Sequence, residues 1–120
     1  MQKKTLVLGA STNPERYSFL AVQRLTAHDH PVIAIGNKTG SINQTEIITT
    51  HPQLENVDTV TLYLNPSLQK EYYNYILSLH PKRIIFNPGT ENTELYDLAL
   101  QNKIQPIEAC TLVMLSTGQY

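Results

Sequence analysis

Apolar residues fall along this chain in two patterns, short unbroken runs and stripes at three- and four-residue spacing. Leu6-Val7-Leu8 is too short and too uniformly apolar to alternate, as expected of a central strand covered on both faces. Val32-Ile33-Ala34-Ile35 repeats that pattern, and Thr59 to Leu64, Arg83 to Phe86 and Ile104 to Ile107 complete five predicted strands. Between them, Tyr17, Leu20, Ala21 and Leu25 recur at helical spacing. That helix starts either at Asn13-Pro14, with asparagine as cap, or at Ser18, and it ends at His28-Asp29-His30-Pro31. Asn65 caps a second helix with the stripe Leu68, Tyr72, Tyr75, Ile76 and Leu79, closed by His80-Pro81. A third runs from about Asn92 to Asn102 and buries Leu95, Leu98 and Ala99, and Thr111 to Leu115 forms a short last helix. Thr39 to Asp58 has the weakest pattern: a loop, a brief strand at Ile47-Ile48 and one helical turn near Pro52-Gln53-Leu54.

Strands alternating with helices predict an α/β fold: a doubly wound, mostly parallel five-stranded sheet with helices on both faces, in three layers. Residues 1–120 contain no internal repeat and no linker, so one domain is expected. In such a sheet the strands end along one edge, where ligands bind beside the point at which strand order reverses. Four strand ends carry loops of small and polar residues: Gly9-Ala10-Ser11-Thr12-Asn13-Pro14, Gly36-Asn37-Lys38, Asn65-Pro66 and Asn87-Pro88-Gly89-Thr90. Gly9 lets the first loop turn tightly, and amides of that loop and the next helix start can face an anion. Turn chemistry alone also calls for such residues, and this plainer account stands beside the ligand reading.

Charge narrows the partners. Nine Lys and Arg against ten Asp and Glu give a net charge of −1, with the signs mixed along the chain. No basic stripe suits nucleic acid, and no apolar run approaches a membrane span. A lone cysteine, Cys110, and a strand starting close to Met1 lead us to expect a cytoplasmic protein without a targeting segment.

The first loop departs from the dinucleotide fingerprint, with Ser11 and Pro14 where further glycines would stand. The second strand ends in Gly36-Asn37-Lys38, with no carboxylate for a ribose diol. Lys38 suits a ribose carrying an extra phosphate, as in NADP or coenzyme A, or is an ordinary solvated lysine. Arg16 likewise either clamps a diphosphate or faces solvent.

Over nearly its whole length the chain resembles the small CoA-binding proteins. Their single Rossmann-like domain is similar to the N-terminal domain of succinyl-CoA synthetase alpha subunits. The likeness is carried by Val7-Leu8-Gly9-Ala10-Ser11-Thr12-Asn13-Pro14-Glu15-Arg16-Tyr17-Ser18, by Val57-Asp58 before a strand, by the Gly89 loop and by Cys110. It implies that coenzyme A, or a short acyl-CoA, lies across the strand ends. Gly9, Ala10, Ser11 and Asn13 would meet the phosphates, and Arg16 and Tyr17 would add contacts from the same loop, to which Thr12 and Pro14 belong. Asn37 and Lys38, beside Gly36, would sit by the adenosine, and Asn65, Pro66, Pro88 and Gly89 would shape the rest. The likeness also favours Ser18 as the first helix's cap. Ile35-Gly36-Asn37-Lys38 departs from the family's common Val-Asn-Pro, and Asn87 to Asn92 departs from its Gln- and Gly-containing loop.

The synthetases carry a phosphorylated histidine on a second domain that this sequence does not contain. His28, His30, His51 and His80 fall in turns or at helix ends, without a base-orienting carboxylate at useful spacing, so no catalytic residue and no metal site are expected. Cys110 is expected to pack as a small hydrophobe, or to form a mixed disulfide with the CoA thiol under oxidation. The leading expectation is noncatalytic CoA binding. The alternatives are the nucleotide half of an NADP-dependent reductase, and a subunit completing an acyl-CoA synthetase in trans. The protein partners in view are a second copy, through an exposed tyrosine among Tyr72, Tyr73 and Tyr75, or a synthetase-like subunit.

Overall fold

The strong apolar runs become the middle of the sheet. In the computed structural model, which describes residues 2–120, they are β1 (Thr5–Leu8), β2 (Val32–Ile35), β5 (Thr59–Leu62) and β6 (Arg83–Phe86). To these are added β3 (Gly40–Ile42), β4 (Thr45–Ile48) and β7 (Gln105–Glu108), in the order β3-β4-β2-β1-β5-β6-β7. Every pairing is parallel except that of β3 with β4. The sheet therefore has seven strands against the five predicted for it: the brief strand expected at Ile47-Ile48 joins it as β4, and β3 is the strand the sequence does not signal. The extra pair is a hairpin closed by Asn43-Gln44, with Asn43 in the left-handed region at φ 54°. Its hydrophobic signal is one apolar pair, Ile47-Ile48, and what completes it is pairing of that pair with Ala34 and Ile35 on β2.

Strand alternation divides the side chains between two layers. Val7, Ala34 and Ile47 face α1 (Tyr17–Ala27) and α5 (Thr111–Ser116), where Ala21, Val22, Leu25 and Leu115 are buried. Leu6, Leu8, Leu62, Ile84 and Phe86 face the opposite side, against α3 (Tyr73–Ser78) and α4 (Thr93–Gln101). Each large aliphatic or aromatic side chain buried this completely contributes about 1.5–3 kcal/mol. Ile76, Leu79, Leu95 and Ala99 complete that layer, as their spacing predicts. No helical turn forms at Pro52-Gln53-Leu54: residues 49–58 cross to β5 as irregular loop, with Leu54 and Val57 packed onto the same layer. Among the described residues no helix is long and apolar enough to cross a membrane.

At the amino ends of the strands a polar knot ties the chain's extremities together. Tyr120 stacks on the Arg83 guanidinium, 4.4 Å from the ring centre, and Arg83 Nε donates to Thr59 Oγ1 at 2.8 Å. His30 packs 4.9 Å from the Tyr120 ring, and its Nδ1 accepts the Lys3 amide at 2.9 Å. Burial holds the His30 pKa below its ordinary value, and the positive charges of His28, Lys3 and Arg83 add to this. A histidine whose pKa is lower folded than unfolded supports the fold above the unfolded value of 6.5, and loses that support as pH falls through the folded value. Acidification from about pH 7 to about pH 5 should therefore lower the unfolding free energy by a component that His30→Gln removes. Urea titrations across that range check this, and equal slopes for the two proteins would show that His30 contributes none of it.

Candidate functional site

The loop after β1 is shaped by what passes beneath it. Gly9 sits at φ 95° over the backbone of β5's end, where an added Cβ would stand 2.9 Å from the Tyr63 carbonyl carbon. Only a residue without a side chain fits both the angle and the approach. The amides of Gly9 and Ala10 both donate to the Ile35 carbonyl at 2.9 Å, so these two residues do not offer their N–H groups to a ligand. Asn13 builds a turn of its own: its Oδ1 accepts the Glu15 amide at 3.0 Å and its carbonyl accepts the Arg16 amide at 3.0 Å. α1 consequently begins at Tyr17 with Arg16 at the cap position and no side-chain cap bond, rather than at Asn13-Pro14 or behind a Ser18 cap. Ser18 lies inside the first turn and is buried.

Four amides are left over. Those of Ser11 and Thr12 in the loop, and of Tyr17 and Ser18 in the first turn of α1, find no acceptor among the described residues. The start of an eleven-residue helix adds its positive dipole end to them.

Of these residues, Ser11, Tyr17 and Ser18 border a crevice of about 800 Å³ over the carboxyl ends of β1, β2, β5 and β6. It spans β1, where successive connections change direction across the sheet. Of the residues singled out from sequence, Gly9, Ala10, Ser11, Arg16, Tyr17, Gly36, Asn37, Asn65, Pro88 and Gly89 line it. Thr12, Asn13, Pro14, Lys38 and Pro66 are exposed outside its lining. The Thr12 methyl group packs towards Gly40 on the hairpin, Asn13 and Pro14 belong to the turn, and Pro66 opens α2 (Pro66–Gln69). Lys38 is exposed and directly follows Asn37, which lines the crevice.

Sequence reasoning missed Glu15, Ser18, Tyr63, Leu64, Leu68, Glu71, Tyr72 and Thr90, which also line the crevice. Glu15 and Ser18 stand inside the long first loop and its helix start, which is signal enough. The predicted core stripe contains Leu68 and Tyr72: Tyr72 packs against the core layer and lines the crevice as well, whereas Leu68 leaves the core. Asn65 caps α2 as expected, with Oδ1 accepting the Leu68 amide at 3.1 Å. However, a 3-10 turn over Lys70–Tyr72 separates α2 from α3 and shifts the helical phase. Leu68 thereby faces the crevice, 49% exposed, while Gln69 is fully buried. Gln69 Nε2 donates to the carbonyls of Leu64 and Thr90, both at 2.8 Å, and its Oε1 accepts from Asn92 Nδ2 at 2.9 Å. The loops after β5 and β6 are thus held together by one side chain.

Asn87 turns inward, donating to Thr61 Oγ1 and to the Leu62 carbonyl and accepting the Thr111 amide, so it fixes α5 rather than meeting a ligand. Tyr63 forms part of the crevice floor, and burial raises its pKa far above the ordinary phenol value. The charged residues lining the crevice are Glu15, Arg16 and Glu71, and none is ion-paired among the described residues, where Lys82–Asp58 is the one pair. His28, His30, His51 and His80 lie outside the lining, and so does Cys110, half-buried at the cap position of α5. Among the described residues no three His, Cys, Asp or Glu side chains are grouped to hold a metal ion. The chemistry available is anion binding by main-chain amides and Arg16, beside an aromatic and aliphatic wall.

Comparison with known proteins agrees with this architecture. A family model described as a CoA binding domain matches residues 3–116. A crystal structure of an uncharacterised protein superposes with a TM-score of 0.98 at 53% identity, covering 100% of this chain and 99% of that one. A hypothetical protein from Pyrococcus horikoshii OT3 matches at TM-score 0.87 and 21% identity over 97% of this chain and 83% of its own. The cell-free ID.343 structure from Thermus thermophilus gives 0.85 and 17%, over 99% and 91%. These last two show the fold alone. Among curated proteins none matches the chain.

Proposed function

The chain belongs to the CoA-binding domain family, and from that premise we propose that it binds coenzyme A, free or carrying a short acyl group, without catalysing a reaction. The observation that supports this reading most is the set of unpartnered amides at Ser11, Tyr17 and Ser18, which line one crevice together with Arg16, with that of Thr12 next in the same loop. A diphosphate is the group that such a set recognises, because several N–H dipoles and a guanidinium converge on spread negative charge. Asn37 and Lys38 would take the adenosine and its 3′-phosphate at the end of β2, and the pantetheine arm would run over β5 and β6. No histidine or cysteine lines the crevice to supply a nucleophile with its base, so binding rather than turnover is the reading we favour.

Ligand-induced stabilisation tests it. CoA at a hundredfold excess over its Kd should stabilise the protein by about 2.7 kcal/mol. The 3′-dephospho form should give a smaller rise in Tm, and Lys38→Ala should narrow that gap by weakening CoA alone. A larger response to NADP than to CoA would replace this reading with that of a reductase's nucleotide half. Loss of all response until a second protein is added would replace it with that of a subunit completing a site in trans.

A further inference from the structure

The two ends of the crevice differ in chemistry. Over β1 and β2 it presents unpartnered amides, Arg16 and Glu15. Over β5 and β6 it presents Leu64, Leu68 and Tyr72, with Glu71 as the charged group. Leu68 is half exposed to the crevice although the same short helix buries Gln69 completely. A leucine kept in that position has apolar surface available to a ligand.

This wall is also built to hold its shape. Gln69, fully buried, ties the Leu64 and Thr90 carbonyls together and accepts from Asn92. Asn92 in turn caps α4 through Oδ1 and donates to the Tyr73 hydroxyl at 2.8 Å. Binding against such a preformed wall requires little ordering of the protein.

We propose that the β5–β6 end of the crevice is an acyl subsite that accepts an uncharged short acyl group and disfavours one ending in a carboxylate, with Glu71 as the discriminating residue. This rests on the CoA reading, since the subsite lies where the thiol end of that ligand would arrive. The physical reason is simple. A second carboxylate beside Glu71 would meet a like charge across an exposed wall, with no cation among the described residues lining that end of the crevice to offset it, a repulsion that salt screens. Glu91 does not share the role, because it stands outside the lining and its Oε1 already accepts the Gly89 amide at 2.8 Å.

Calorimetric titration with CoA, butyryl-CoA and succinyl-CoA tests the proposal. Butyryl-CoA should bind at least as tightly as CoA, and succinyl-CoA about tenfold more weakly than butyryl-CoA at low salt. Glu71→Gln should collapse that ratio to about twofold, and added salt should shrink it in the wild-type protein. The ratio is measured within each variant, so loss of folded protein does not imitate the effect. Equal binding of the two acyl forms to the wild type would overturn the proposal, as would a ratio that survives Glu71→Gln or falls instead in Glu91→Gln. Butyryl-CoA binding much more weakly than CoA would also overturn it while leaving the CoA reading intact. Absence of any CoA binding would remove that reading itself.

Discussion

Gly36→Ala is expected to remove the CoA-induced rise in Tm and to destabilise the protein by about 2 kcal/mol, within the usual range for overpacking. An added Cβ there would stand against the Ala10 carbonyl, closer than any real Cβ stands to a backbone atom, and 3.1 Å from Ile47 Cγ2. The carbonyl has little room to yield, since the Gly9 and Ala10 amides are both anchored on Ile35 immediately before Gly36. The strain must pass into the loop that carries Ser11 and Thr12, moving the amides assigned to the diphosphate. Urea denaturation gives the first number and thermal shift with CoA the second. Retention of the full ligand response in a folded Gly36→Ala protein would mean that those amides do not carry binding.

Replacing Gln69 by leucine should have the larger effect on stability, about 3 kcal/mol, and lower Tm by roughly 10 °C. Leucine approximates the volume but leaves the Leu64 and Thr90 carbonyls without their donor and one Asn92 proton without its acceptor. Buried groups stranded in this way cost about 1–3 kcal/mol each, and their effects within one network do not simply add. Gln69→Glu should not rescue the loss, because an ionised carboxylate cannot donate to two carbonyls. Binding should separate the two ends of the crevice: affinity for CoA should fall more than affinity for 3′,5′-ADP, which lacks the pantetheine arm. A loss below about 1 kcal/mol, or equal weakening of both ligands, would contradict the role given to this side chain.

Particular elements show where sequence reasoning reached and where it stopped. β1, β2, β5 and β6 are legible because each is a local run of branched and apolar residues, fully buried in β1, β5 and β6 and buried over Ala34-Ile35 in β2. α2 and α4 are legible because Asn65 and Asn92 cap them through bonds spanning two or three residues. The β3–β4 hairpin is legible only as the brief strand at Ile47-Ile48, since its partner strand β2 lies outside it in sequence and that pair gains its pairing only there. The site shows the same division. Four glycine-, asparagine- and proline-bearing loops could be placed on one edge from strand direction alone. Which of their amides stay available could not, because Ile35, far along the chain, claims those of Gly9 and Ala10.

By itself, then, the order of residues determined the alternating elements, the direction of the sheet and the loops that meet at its rim, since these depend on short-range periodicity and capping. Tertiary structure alone decided the seven-strand edge, the phase shift that buries Gln69 and turns Leu68 and Glu71 into the crevice, and which N–H groups remain to meet a ligand. The reason is physical: a hydrogen bond or contact between distant segments takes its geometry from the packing of both, and neither segment encodes it without the other.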